Sequence, residues 1–237
     1  MRLFVRVAIG LIAGLLGPAA VAAPAQTIQA SADVMVPVRS EGRWLVYPHL
    51  AMNPMHPEHV LMAAVLADPS GESSRRNCVS AVSFDAGDTW ESHEFPISDC
   101  SDPWVAITPE GEAVFTALGR DPNLPQQGRT GLVLYHSADG GRTWNEYPVG
   151  LGDGHDRQTL VTDVTLPERS GWLYLMSSRV TRTDAGGLLS NVYLTRSRDG
   201  GRTFDAPVSI QVNNLFHKAE TAVVLSDGTL VTLLVQP

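Results

Sequence analysis

Lysine is almost missing from this chain: Lys218 is the only one in 237 residues, and arginine fills the other basic positions. Lys plus Arg total 17 against 25 Asp plus Glu, a formal net charge of −8. That balance argues against nucleic acid and anionic membrane as partners, since both are held through clustered basic surface. Gly-rich phosphate loops and Ser nucleophile elbows are absent, and no long helical periodicity competes with short strands. Cysteine is scarce, with Cys78 and Cys100 alone. None follows the N-terminal apolar run, which argues against a lipoprotein anchor. That run, broken by Arg6 and Pro18, falls short of the roughly 20 residues a spanning helix needs.

The N-terminus reads instead as a secretory signal over 1–22. Arg2 and Arg6 give a positive start, Val7 to Leu16 an apolar core, and Ala20-Val21-Ala22 a small-residue cleavage pattern; Ala23-Pro24-Ala25 offers nearly as good a site. A secreted or periplasmic protein without a membrane anchor is expected. Removing 1–22 takes away two arginines and no acid, leaving a net charge of −10. Gly at 21 positions and Pro at 16 fit a chain of many turns.

What is abundant is one eight-residue pattern. SFDAGDTW at Ser83–Trp90 returns as SADGGRTW at Ser137–Trp144 and as SRDGGRTF at Ser197–Phe204. An interval of roughly 55 to 60 residues suits four strands and their turns, so the copies are read as the same turn in successive propeller blades. The chemistry inside each copy supports a locked hairpin. Asp85, Asp139 and Asp199 can accept backbone N–H groups and close an Asx-type turn. Gly87, Gly141 and Gly201 tolerate a positive φ. The hydroxyls of Thr89, Thr143 and Thr203 can bond back across the loop, and Trp90, Trp144 and Phe204 can plug the apolar space between neighbouring sheets. Ser83, Ser137 and Ser197 open the copies. A surface turn is not where catalytic carboxylates are expected, so the boxes are read as structural.

An all-β propeller is therefore expected, with an N-terminal segment over 23–46 and blades near 47–100, 101–154, 155–216 and a partial 217–237. In the second blade, strands are predicted near Trp104–Thr108, Ala113–Leu118, Leu132–Ser137 and Asn145–Val149. Ala32–Val46 is expected to hold a strand of another blade, a candidate for closing the ring. Cys78 and Cys100 flank the first box, and its hairpin would bring them close, about four residues off ideal register. In an oxidising compartment they are expected to pair, closing a loop of about 22 residues and contributing on the order of 3 kcal/mol.

The three copies have the S-x-D-x-G-x-T-W form of the Asp-box (BNR) repeat, and from about Leu50 to Val235 the chain resembles the sialidase superfamily. The resemblance implies a six-bladed propeller with its boxes on the rim away from the sugar. At roughly 55 to 60 residues per blade, the chain from Ala23 to Pro237 holds only about 3.5 to 4 units. An open ring is expected, explained first by a longer natural product and second by self-association through the edge at Leu230–Val235. The box itself is not specific to activity, since it also occurs in xyloglucanase-type glycosidases, sorting receptors and assembly factors.

Function is accordingly sought where the innermost strands begin, in Pro48-His49, Asp102-Pro103-Trp104, His155-Asp156-Arg157 and His217-Lys218-Ala219-Glu220. His49, Asp102, Asp156, Arg157 and His217 are the ligand-binding candidates. The alternative for each is capping a strand end or bonding to a neighbouring blade. The run AETAVVLSDGTL resembles the sialidase segment whose glutamate helps ionise a tyrosine nucleophile, and Glu220 matches that glutamate. The rest of that machinery, three arginines on the sugar carboxylate, an acid/base Asp and the tyrosine, is poorly represented. Arg-Ile-Pro is absent; Arg39 and Arg43 are the nearest stand-ins, and Asp68, in an ADPSG turn, is the only Asp between them and the first box. No cofactor or metal is expected: Asp153, His155 and Asp156 in GDGHD read as a polar loop, and His49, His56 and His59 lack zinc-site spacing. Two functions follow. One is a glycosidase-related, exo-α-sialidase-type propeller with incomplete catalytic apparatus; the other is a non-catalytic glycan- or protein-binding scaffold.

Overall fold

The computed structural model describes residues 35–38, 41–70, 76–124, 131–145, 149–182, 186–210 and 218–235; the signal segment, Arg39 and His217 lie outside the described residues. Strands β1 (Trp44–Met52), β2 (Val60–Ala67), β3 (Asn77–Ser83) and β4 (Glu91–Glu94) form one antiparallel meander. A second is built from β5 (Ser98–Ile107), β6 (Ala113–Arg120), β7 (Gly131–Ser137) and β8 (Val149–Asp153). The third comprises β9 (His155–Thr162), β10 (Leu173–Arg182), β11 (Leu188–Ser197) and β12 (Val208–Ser209). Strands β13 (Lys218–Val224) and β14 (Leu230–Val235) pair as a two-stranded sheet. The first strands of successive sheets lie against one another, β1 on β5, β5 on β9 and β9 on β13, so each sheet radiates outward as a propeller blade.

Strand alternation explains why sheets stack. Along β2, Leu61, Ala63 and Val65 face the second sheet while Met62, Ala64 and Leu66 face the other way. Along β6, Ala113, Phe115 and Ala117 answer them, and Val114 and Leu118 join Leu160, Leu173 and Leu175 of the third sheet. Such two-sided strands read as continuous apolar runs because both faces are covered. The far face of the first sheet carries Val36 and Val38.

Each box closes the turn after a third strand in the same way. In the second box Ser137 Oγ donates to Asp139 Oδ1 at 2.7 Å and accepts from Gly141 N–H at 2.7 Å; Thr143 donates to Asp139 through N–H at 2.9 Å and Oγ1 at 2.6 Å. The first and third boxes repeat all four bonds. The boxes also fasten blade to blade. Gly141, at φ +105°, has no room for a Cβ, which would sit 2.9 Å from Leu61 Cδ1 of the first sheet. Gly201, at φ +95°, is seated likewise against Val114 of the second sheet. Trp144 packs against the stacked pair Phe95 and Phe115 and donates Nε1–H to Ser80 Oγ at 3.1 Å.

Several expectations change. Trp44–Val46 opens β1 of the first sheet rather than serving another blade; the second sheet's last described strand is Val149–Asp153, and the expected strand over Asn145–Val149 lies mostly outside the described residues. Cys78 and Cys100 are bonded, with Cα atoms 5.7 Å apart, but not across the box hairpin. Cys78 lies on β3 and Cys100 on β5, so the disulfide joins two blades. The hairpin partner of Cys78 is Phe95, whose N–H donates to its carbonyl at 2.8 Å.

Candidate ligand cleft

The four inner strands share a local irregularity. The β1–β2 register slips between Val46 and His49, the β5–β6 register between Ser101 and Trp104, the β9–β10 register at Arg157, and the β13–β14 register at Glu220. Tyr47, Asp102 and Arg157 at the first three slips have φ of +54°, +49° and +51°. Non-glycine residues rarely adopt this left-handed conformation, and bulges of this kind re-aim side chains beside ligand sites. Pro48 and Pro103 fit such positions because they bring no N–H to the ladder.

The four slips deliver side chains into one cleft of 230 Å³, lined by Tyr47, Pro48, His49, Asp102, Pro103, Trp104, Arg157, Gln158, Ala219 and Glu220. It lies midway along β1 and β5 and near the starts of β9 and β13, not at the starts of all four inner strands as the sequence suggests. The boxes lie at the opposite end, since Ser83, Ser137 and Ser197 are level with the last residues of the inner strands, near Met52, Ile107 and Thr162.

Trp104 is held from two sides: its Nε1–H donates to Leu160 O at 2.8 Å, and the His49 ring stacks on it at 3.8 Å. His49 Nδ1 accepts Val105 N–H at 3.3 Å, which leaves Nε2 to carry the proton of the neutral ring. Burial lowers His49 from its ordinary 6.5 to about 4, so the ring is neutral at pH 7. Gln158 Nε2–H donates to the carbonyl of Asp102, while its Oε1 is buried and has no partner among the described residues.

Charge in the cleft is arranged in pairs. Arg157 NH1 donates to both Glu220 oxygens, at 3.0 and 2.8 Å. Beside it, Lys218 Nζ stands 2.6 Å from Asp156 Oδ2, so two ion pairs tie β9 to β13. Among the described residues Asp102 makes no such pair. Burial first, then the like charge of Asp156, push its carboxyl above the ordinary value, against the pull of Arg157, Arg76 and Lys218.

The cleft thus brings together His49, Asp102, Arg157 and Glu220, with Asp156 just behind its wall. Asp68 does not line it; the carboxylate accepts Ser70 N–H at 2.8 Å in the turn after β2. Arg43 is paired with Glu94 at 2.7 Å and does not line it either. His155 is turned inward, facing Ser177 Oγ at 3.0 Å and Leu151 O at 3.2 Å, and His59 is buried under Gly140 O at 2.8 Å. Among the described residues no group of three or more His, Cys, Asp or Glu side chains is placed to hold a metal ion. Tyr47 and Gln158 are cleft residues that the sequence reading passes over. A signal for them existed: Tyr47-Pro48-His49 recurs one blade later as Asp102-Pro103-Trp104, and Arg157-Gln158 follows at the same interval again.

No family model and no curated protein matches the chain by sequence. Solved structures resembling it include the α-L-arabinanase of Penicillium chrysogenum complexed with arabinobiose, at 15% identity and a TM-score of 0.47, covering 75% of this chain and 53% of that one. The α-L-arabinofuranosidase of Fusarium graminearum complexed with arabinobiose aligns at 12% identity and a TM-score of 0.48, covering 80% and 55%. An ulvan lyase aligns at 13% identity and a TM-score of 0.49, covering 79% and 50%. The chain spans about half the length of these structures.

Proposed function

We propose that this chain is an exported, Asp-box propeller of the sialidase-like, glycosidase-related type whose central cleft takes up a carbohydrate, and that it does not itself hydrolyse sialosides. The observation that carries the reading is the convergence of four bulges, one from each successive sheet, on a single cleft. Carboxylates, a guanidinium and a neutral imidazole there surround an exposed tyrosine ring. Hydroxyl groups both donate and accept, and such a mixed set of donors and acceptors suits them. A 230 Å³ cleft lies below the ~300–1,000 Å³ of drug-sized pockets. It suits one terminal ring better than a long chain.

The sialidase-type reading is supported by the three boxes and by Glu220 reaching the cleft. Against turnover stands the single guanidinium in the described lining, where carboxylate clamping calls for three. The disulfide between Cys78 and Cys100 favours export, since such bonds persist in oxidising compartments. Two assays test the proposal. Titration calorimetry with simple glycosides should give saturable binding that Arg157→Ala weakens at least tenfold. A fluorogenic sialoside should release no product above the uncatalysed rate. Turnover that Glu220→Gln abolishes and Asp139→Asn leaves intact would contradict the second half and restore the hydrolase.

A further inference from the structure

The charges in this cleft bear on which sugar it takes. Among the described residues three charged side chains line it, Asp102, Arg157 and Glu220, two acidic and one basic. The one cation is already committed, because a single nitrogen of Arg157 donates to both oxygens of Glu220. Behind the wall, Lys218 sits on Asp156. His49 adds no charge, since its ring is neutral down to about pH 4. Among the described residues nothing bonds the Asp102 carboxyl, which faces the cleft half-buried.

Resting on the carbohydrate reading above, we propose that the ligand is an uncharged, hydroxyl-rich sugar and that Glu220 acts as a built-in counter-anion excluding acidic sugars. A carboxylate ligand on the N–H groups of Arg157 that Glu220 does not take would share one guanidinium with Glu220 and stand as a third carboxylate beside Asp102, and a half-desolvated site makes such an excess of like charge costly. A neutral sugar disturbs no pair. Its hydroxyls can donate to Asp102 and to the outward lone pairs of Glu220, and accept from His49 Nε2–H and the N–H groups of Arg157 not turned to Glu220. The ring of Tyr47, 63% exposed, offers its C–H groups an apolar surface. Trp104 is less available for this, lying under His49 with its N–H spent on Leu160.

The test is titration calorimetry of the folded chain with matched methyl glycosides and uronates: glucoside with glucuronide, galactoside with galacturonide, mannoside with mannuronide, together with methyl arabinoside and N-acetylneuraminic acid. In the pair that binds most tightly, the neutral member should be favoured at least tenfold at neutral pH. Glu220→Gln, checked for fold by circular dichroism, frees the guanidinium and should tighten uronate binding at least tenfold over wild type. Tighter binding of a uronate or of N-acetylneuraminic acid by the wild type would overturn the exclusion while leaving the carbohydrate reading standing. Unchanged uronate affinity in the folded variant would overturn the counter-anion role. Absence of binding by every probe would overturn the carbohydrate reading itself.

Discussion

Single residues carry two kinds of work here, fastening and presenting. Asp139 fastens: its carboxylate accepts three bonds within the second box, and although burial opposes ionisation, the bonds from Thr143 and Ser137 outweigh it and hold the acid below its ordinary value. Asp139→Ala should cost about 2 kcal/mol in urea unfolding, because it leaves the Thr143 N–H and two hydroxyls short of a partner. Sugar binding should be unchanged, since the box lies at the other end of the blade. Gly141→Ala should cost more than about 1 kcal/mol, combining a left-handed backbone with a methyl group pressed on Leu61. His49 presents, and its burial sets a pH dependence. The folded state protonates near pH 4 and the unfolded chain near 6.5, so stability is full above pH 6.5 and falls as pH drops towards 4. His59, His93 and His155 are lowered by burial as well, so His49→Asn should reduce this slope without abolishing it. A separate acid phase belongs to the boxes. Asp85, held at about 2 by its bonds from Thr89 and Ser83, contributes stability that is lost only as pH falls from about 3.8 towards 2. Denaturant midpoints measured from pH 8 to 2 would separate the two phases.

At the scale of elements, the boxes and the strands around them were legible in the sequence because each box is a local hydrogen-bonded unit that carries its own pattern. Asp139 and Thr143 need nothing beyond eight residues to find each other. The bulges were not legible in the same way. A bulge is a property of two paired strands, so Tyr47 and Arg157 declare themselves only when β1 is set against β2 and β9 against β10. The candidate positions on the inner strands were found, since polar groups interrupting apolar runs are visible, but Tyr47 and Gln158 were passed over. The disulfide shows the same limit. Proximity of Cys78 and Cys100 followed from their flanking one box, yet the joint spans two blades because β5 begins only four residues after β4 ends. It therefore clamps the stack of the first and second sheets, supplementing the packing of Phe95, Phe115 and Trp144. Replacing both cysteines by serine should lower stability by about 3 kcal/mol on loop-entropy grounds. Protection of β3 and β5 amides in hydrogen exchange should fall more than that of β10 and β11.

Across the whole molecule, the faces of the sheets are unevenly covered. Gly141 and Gly201 are seated on the preceding blade, whereas a Cβ on Gly87 would meet only its own Trp90, at 3.7 Å. At the other end of the series, Val223, Val231, Leu233 and Val235 are 40 to 56% exposed along β13 and β14. Such a row is a pairing and aggregation surface. Sedimentation velocity should show concentration-dependent association that Leu233→Lys reduces; an unchanged monomer over a hundredfold range of concentration would show that this face needs no cover. None of this touches the cleft, into which the four inner strands aim side chains. The most direct measurement of that convergence is backbone amide NMR mapping with the tightest-binding neutral methyl glycoside from the calorimetric series. Shifts confined to the amides of Tyr47, His49, Asp102, Trp104, Val105, Arg157, Gln158, Ala219 and Glu220, contributed by all four inner strands and saturating with one dissociation constant, are the predicted result. Shifts centred on the boxes at 83–90, 137–144 and 197–204, with the cleft positions unmoved, would contradict it.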